Sequence, residues 1–142
     1  MTYWDTSYIA RLYVQDPGWQ TVQSLAATSQ IACSLHGRAE ALATFHRKLR
    51  EGFLTKDEFG QINHRFEDDC LNGGFRWLPL TASVIESVKT SYMTLPPSVV
   101  LRASDALHLA CASENGSKDI YSNDVRLLAA APHFGLTGVN VI

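Results

Sequence analysis

No stretch of this chain approaches the ~20 consecutive apolar residues that a membrane-spanning helix needs. The N-terminal MTYWDTS also lacks the charged-then-apolar pattern of a secretion leader. A cytoplasmic protein with no membrane part is therefore expected. Cysteine is scarce: Cys33, Cys70 and Cys111 are odd in number, lie in apolar surroundings and form no CxxC pair. That argues against a structural zinc site and against a disulfide framework, and free thiols suit a reducing compartment. A surplus of charge is missing too. Twelve Lys and Arg against 14 Asp and Glu leave a formal net charge of −2, so the chain is no bulk polycation, and any nucleic-acid contact must come from a local basic cluster. Neither internal repeats nor low-complexity tracts nor linkers interrupt it. What remains is 142 residues, 46% hydrophobic and 18% charged. That suits one globular domain, residues 1–142, with a real core.

The densest apolar stretch is LRASDALHLACA, Leu101 to Ala112. Ala103, Ala106, Leu107 and Ala110 fall at i, i+3, i+4 and i+7, the period of a helix buried on one face. Asp105 stands inside that run, three residues after Arg102 and three before His108. A carboxylate there is costly unless it is paired, hydrogen-bonded or bound to a cation. Helix capping after Pro96-Pro97, or pairing with Arg102, would also account for it.

Elsewhere, strand signals alternate with helical ones. Met1 to Trp4 reads as a strand ending at Asp5-Thr6-Ser7, with a helix beginning near Ile9 and with Thr6 or Ser7 as a plausible N-cap. After the Asp16-Pro17-Gly18 turn, Trp19 to Thr28 reads as a helix and Gln30 to Ser34 as a strand. From Ser34, Leu35, Ala39, Leu42, Phe45, Leu49 and Phe53 mark a helical stripe, with Glu40 near its start, where a capping-box or dipole role is common. His36, one turn before Glu40, has ligand-compatible spacing, but there is no HExxH and a local hydrogen-bonding role is expected. Thr55-Lys56-Asp57-Glu58 has capping-box form and opens a helix to Leu71. Asp68 and Asp69 diverge by about 100° on it and read as a solvated face. Phe75 to Leu80, Asp119 to Ser122 and Gly138 to Ile142 read as strands. Thr81 caps a helix to Leu95, and Val125 to Ala131 forms another. The alternation predicts an α/β fold, a central parallel sheet flanked by helices.

Asp5, Glu40, Asp105 and Asp124 all have reason to face one sheet edge: two follow strands and two lie near helix starts. Hydroxyls accompany the strand-end acids, in Asp5-Thr6-Ser7 and Ser122-Asn123-Asp124. Four converging carboxylates would repel one another unless cations joined them. Hard oxygen ligands select Mg²⁺ or Mn²⁺. Phosphodiester hydrolysis is the chemistry such a site fits. Arg102 is a candidate phosphate contact, or else a salt-bridge partner that orients Asp105 or Glu40.

The segments YWDTSYIARLY, SLHGRAEALATF, LRASDALHLACA and YSNDVRLL, in that order and spacing, make the chain similar to PIN-domain ribonucleases, specifically VapC-like toxins of toxin–antitoxin pairs. The resemblance spans nearly the whole chain, and RxSDALHLA is its most specific part. It implies a PIN-like fold and Mg²⁺- or Mn²⁺-dependent endoribonuclease activity on RNA. Asp5, Glu40, Asp105 and Asp124 would be the acidic quartet that binds metal and catalyses, supported by Thr6 and Ser122. It further implies neutralisation by a cognate antitoxin protein. The surplus of aromatic positions at Phe45, Phe53, Phe59 and Phe66 predicts an exposed apolar groove on the helical hairpin for an amphipathic partner segment, and a homodimer. Trp4, where a smaller aliphatic is usual, and the variable His36 are mild departures. A catalytically silent PIN-like module that binds RNA or protein is the alternative, and an enzyme acting on structured DNA ranks lower because no long insertion is visible.

Overall fold

Three residues make the first strand in the computed structural model, which describes residues 1–142. β1 is Thr2–Trp4, and its alternation sends Tyr3 into one core and Trp4 into the other. The chain continues through α1 (Thr6–Ala10), α2 (Trp19–Ala26), β2 (Ile31–Ser34), α3 (His36–Arg50) and α4 (Lys56–Leu71). β3 (Phe75–Leu78), α5 (Ala82–Thr94), α6 (Ala103–Glu114), β4 (Asp119–Tyr121) and α7 (Val125–Ala130) follow. A 3₁₀ turn at Ala131–Phe134 then leads to β5 (Thr137–Val139). All five expected strands are present, trimmed at their ends, and β5 starts one residue earlier than the β-branched run suggested.

The strands form one sheet in the order β3-β2-β1-β4-β5, and every pairing is parallel. This is the expected α/β architecture, a central parallel sheet flanked by helices. Trp4, Ile31, Cys33 and Phe75 pack against Tyr8, Phe45 and Phe66 on one face. Tyr3, Ala32, Leu78 and Ile120 pack against Val84, Leu109 and Leu127 on the other. The chain winds outward from β1 to β2 and β3, then crosses back to lay β4 and β5 on the opposite side. The winding reverses between β1 and β4, and in open parallel sheets that crevice is where ligands bind.

Local expectations fare unevenly. Thr55 and Glu58 form the reciprocal capping box, and the Thr81 hydroxyl caps α5 through the Val84 N–H at 3.2 Å. α3, by contrast, has Leu35 at its N-cap and no side-chain cap, so Glu40 is neither a capping-box residue nor in the first turn. In α6, seven of 12 residues are buried, from Asp105 to Ala112. Ala103, the first residue of the expected stripe, is exposed, because the helix enters from the surface and dives inward one turn later. The hairpin aromatics are mostly consumed in the core. Phe45 and Phe66 are fully buried and meet edge-to-face at 5.5 Å, Phe59 is half-buried, and Phe53 alone stays exposed. Asp69 departs from the solvated-face reading as well, since its Oδ2 accepts a 2.5 Å hydrogen bond from the Tyr13 hydroxyl. No helix is long and apolar enough to cross a membrane.

Candidate active site

The reversal point between β1 and β4 opens into a cleft of about 480 Å³, and Asp5, Glu40, Asp105 and Asp124 all line it. Each acid arrives by a different local route. Asp5 directly follows β1 and is itself the N-cap of α1, rather than Thr6 or Ser7. Its Oδ1 accepts from the N–H groups of Ser7 (3.0 Å) and Tyr8 (3.3 Å) and from the Ser7 hydroxyl (2.6 Å). Its Oδ2 accepts from the buried Ser122 hydroxyl at 2.6 Å. Asp5 is only 5% exposed, and burial pushes its carboxyl above the ordinary range against the opposing pull of His108, Ser122 and Ser7. None of the ion pairs in the cleft includes it.

Asp124 follows β4 and repeats the design, capping α7 through the N–H groups of Arg126 (2.9 Å) and Leu127 (3.2 Å). Its own N–H donates to the Ser122 oxygen at 2.9 Å. One serine thus ties Asp5 to the β4–α7 turn. Asp105, 6% exposed, comes from the first turn of α6 and does not cap it, because Arg102 is the N-cap. The Arg102 guanidinium donates to Asp105 Oδ2 at 3.0 Å and to Asp124 Oδ2 at 3.1 Å. Of the two roles weighed for Arg102, the structure shows the salt bridge, made to Asp105 and Asp124 and not to Glu40. With its side chain 62% exposed, Arg102 is a rim residue, and the Asp105 hydrogen bond raises its pKa.

Glu40 sits one turn into α3. Thr6 donates to its Oε1 at 3.0 Å and His108 Nε2 approaches the same oxygen to 2.6 Å. Burial alone would raise the Glu40 pKa, but the hydrogen bond and charge of His108, with His36 and Thr6, outweigh it and hold the carboxyl below its usual range. His36 is partly the local hydrogen-bonding residue expected: Nδ1 meets the Ser34 hydroxyl and Nε2 the Ser104 carbonyl at 3.1 Å. Its ring centre also lies 4.3 Å from that of His108, with the planes tilted by 41°. His36, Glu40 and His108 are the one trio whose ligand atoms all lie within 4.8 Å of one another. No three of the four acids converge that tightly.

His108 is the residue that sequence reasoning passed over. Its signal was present, a lone imidazole in an apolar helix one turn after Asp105, but its partners come from β1 and α3. Ser7 was likewise read only as a possible cap, although it also accepts from the Asn123 N–H at 3.3 Å.

The donor set suits a hard divalent cation. Asp5 is buried and desolvated and enters no ion pair, and the cation paired with Asp105 and Asp124 is an exposed rim arginine. Carboxylates in that condition are stabilised by a cation in the cleft.

Comparison with solved structures finds the same architecture in proteins of low sequence identity. VapC20 of Mycobacterium tuberculosis, described as a sarcin-ricin loop cleaving toxin, superposes with a TM-score of 0.71 at 20% identity, over 92% of this chain and 95% of that one. FitAcB of Neisseria gonorrhoeae gives 0.77 at 17% identity, over 99% and 97%. VapBC2 of Rickettsia felis, solved with a DNA fragment from their promoter, gives 0.71 at 16% identity over the whole of both chains. No curated protein sequence matches. At these identities the likeness is one of fold. The PIN domain family matches residues 2–132, and with the parallel sheet and the cleft at its reversal point this shows that the chain belongs to the PIN domain family.

Proposed function

We propose that residues 1–142 act as one domain and form a metal-dependent endoribonuclease, a VapC-like toxin that hydrolyses RNA phosphodiester bonds and is neutralised by a cognate antitoxin. The observation that carries this reading is the cleft itself: Asp5, Glu40, Asp105 and Asp124 line one wall-to-wall pocket, and the deepest of them lacks a cationic partner. The likeness to VapC20, a toxin described as cleaving the sarcin-ricin loop, supports RNA as the substrate. PIN family membership supports nuclease chemistry.

Asp5 and Asp105 are the core ligands for Mg²⁺ or Mn²⁺, with Glu40 and Asp124 completing the set. When bound, the ion supplies Lewis acidity that activates water and offsets charge on the phosphate. The chain's own contribution is placement. Ser122 and the start of α1 hold both Asp5 oxygens, so the carboxylate cannot rotate. Thr6 and Ser122 are supports rather than ligands, since each spends its hydroxyl proton on an acid. Arg102 bridges Asp105 and Asp124 and presents a guanidinium at the rim, where it reaches a substrate phosphate. The reaction requires RNA, the divalent ion and the four acids. A homodimer and an amphipathic antitoxin segment complete the proposed assembly.

Incubating the purified protein with RNA, with and without EDTA, tests the proposal. Cleavage should need added Mg²⁺ or Mn²⁺ and vanish in Asp5→Asn. Activity that survives both treatments overturns it, and RNA binding without cleavage would leave a silent PIN module. In Arg102→Lys, a raised KM at constant kcat supports the phosphate contact, whereas unchanged kinetics reject it.

A further inference from the structure

Every hydrogen bond that Glu40 accepts through its side chain falls on one oxygen. Thr6 Oγ1 lies 3.0 Å and His108 Nε2 2.6 Å from Oε1, and His36 Nε2 is 3.4 Å from that same atom. Oε2 is left without a protein partner in a cleft-lining residue. His108 is itself held from behind. The Ser34 backbone N–H donates to the Tyr3 phenol oxygen at 3.0 Å, and that hydroxyl lies 2.9 Å from His108 Nδ1. The directions follow from chemistry. A carboxylate only accepts, so His108 Nε2 carries a proton, and the Tyr3 oxygen, which takes the Ser34 N–H on one side, holds Nδ1 on the other. His108 is 1% exposed, so no water competes for either ring nitrogen.

We propose that Tyr3 and His108 are positioning residues for Glu40: a buried chain from the β2 backbone through phenol and imidazole clamps Oε1 and aims Oε2 into the cleft. The inference rests on the reading of Glu40 as a ligand of the catalytic cation. It extends the site into the sheet, because Tyr3 lies on β1 two residues before Asp5. One strand then sets two of the four acids, Asp5 through the backbone and Glu40 through a side chain two layers deep. Metal-site partners of this kind change affinity or activity by about 10- to 100-fold when removed. The histidines themselves are poor ligands here: the Nε2 protons of both already point at acceptors, Glu40 for His108 and the Ser104 carbonyl for His36.

Mn²⁺ titration and steady-state RNA cleavage on the full chain test this with four variants. His108→Leu should weaken Mn²⁺ binding and lower kcat about 10- to 100-fold with KM unchanged. His108→Gln, which keeps a donor toward Glu40, should restore most of both, and Tyr3→Phe should fall between. Leu109→Ala, equally buried on the same helix, should lower the melting temperature and leave Mn²⁺ affinity alone. Long-range ¹H–¹⁵N spectra of the wild type should show the Nε2–H form of His108. Mn²⁺ affinity unchanged in a folded His108→Leu overturns the inference while leaving the nuclease reading standing, as does an Nδ1–H imidazole. Wild-type protein that neither binds Mn²⁺ nor cuts RNA overturns both. Visible Co²⁺ absorption that is present in the wild type and lost in His36→Ala and His108→Gln would make the histidines ligands, which also overturns it.

Discussion

Asp5 serves as a helix cap and as a buried charge, and the two roles respond differently to substitution. Asparagine caps as well as aspartate does, so Asp5→Asn keeps Oδ1 for the Ser7 and Tyr8 N–H groups while removing the charge. Because burial raises the folded pKa of Asp5, the protonated form adds stability below the unfolded value of about 4. That contribution is lost as pH rises through the higher folded pKa. At pH 7 without metal, the Asn variant should therefore melt no lower than the wild type. Added Mn²⁺ should raise the wild-type midpoint, by about 2.7 kcal/mol of stability at 100 times Kd, and leave the variant where it was. Calorimetry with EDTA and with Mn²⁺ reads both effects, and a variant several degrees less stable in EDTA would show the cap to dominate. Tyr13 supplies the alkaline counterpart. Burial, then the Asp69 hydrogen bond, raise its pKa. Its contribution is present below the unfolded value of about 10 and is lost as pH climbs above that. Wild-type stability in urea should thus decline more steeply above pH 10 than that of Tyr13→Phe.

Among the elements, α3 shows how closely the site depends on packing. Its second residue, Gly37, has ordinary helical conformation, yet an added Cβ would lie 2.5 Å from Cys33 Sγ, 3.2 Å from His108 Cε1 and 3.3 Å from Thr6 Oγ1. Glycine there lets the start of α3 press against β2, α1 and α6, which is how Glu40 reaches Thr6 and His108. Gly60, inside α4, has nothing within 4 Å. The same change to alanine should act in opposite directions. Gly60→Ala should stabilise by up to about 1 kcal/mol through helix propensity. Gly37→Ala should destabilise by about 1–3 kcal/mol through overpacking and weaken Mn²⁺ binding. Equilibrium urea unfolding of both variants decides, and a stabilised Gly37→Ala would contradict the close approach. The Thr55 box was legible because its partners are three residues apart. Gly37 was not, since what surrounds it comes from three other elements.

At the scale of the whole molecule, apolar surface is distributed differently from the sequence reading. With Phe45 and Phe66 inside the core, four of the exposed apolar side chains, Ile85, Tyr92, Met93 and Val100, lie on α5 and just beyond it. A two-fold related copy would cover such a face isologously, which makes α5 the expected dimer surface. Sedimentation at micromolar concentration should show a dimer, and Ile85→Glu combined with Met93→Glu should leave a folded monomer. A wild-type monomer, or a dimer untouched by these changes, would count against it. The acids behave as a unit at this scale too. They come from the β1–α1 junction, α3, α6 and the β4–α7 turn, so the cleft exists only where the sheet reverses.

Much of this was readable in one dimension for definite reasons. Strand–helix alternation, capping at Thr55 and Thr81, and the burial of the Asp105 helix depend on residues close in sequence, and periodicity reports them. The four acids were identifiable because each sits in a recognisable local frame, after a strand or near a helix start. Partner choice was decided only by folding. Arg102 turned to Asp105 and Asp124 because the β4–α7 turn lies beside the start of α6. Glu40 left the capping role because α3 needs no side-chain cap and His108 approaches from across the sheet. Tyr3 and His108 are 105 positions apart in their hydrogen bond, and Ser122 and Asp5 are 117 apart. Contacts across such separations are set by the order in which strands pair, a property of the sheet as a whole that no local pattern encodes.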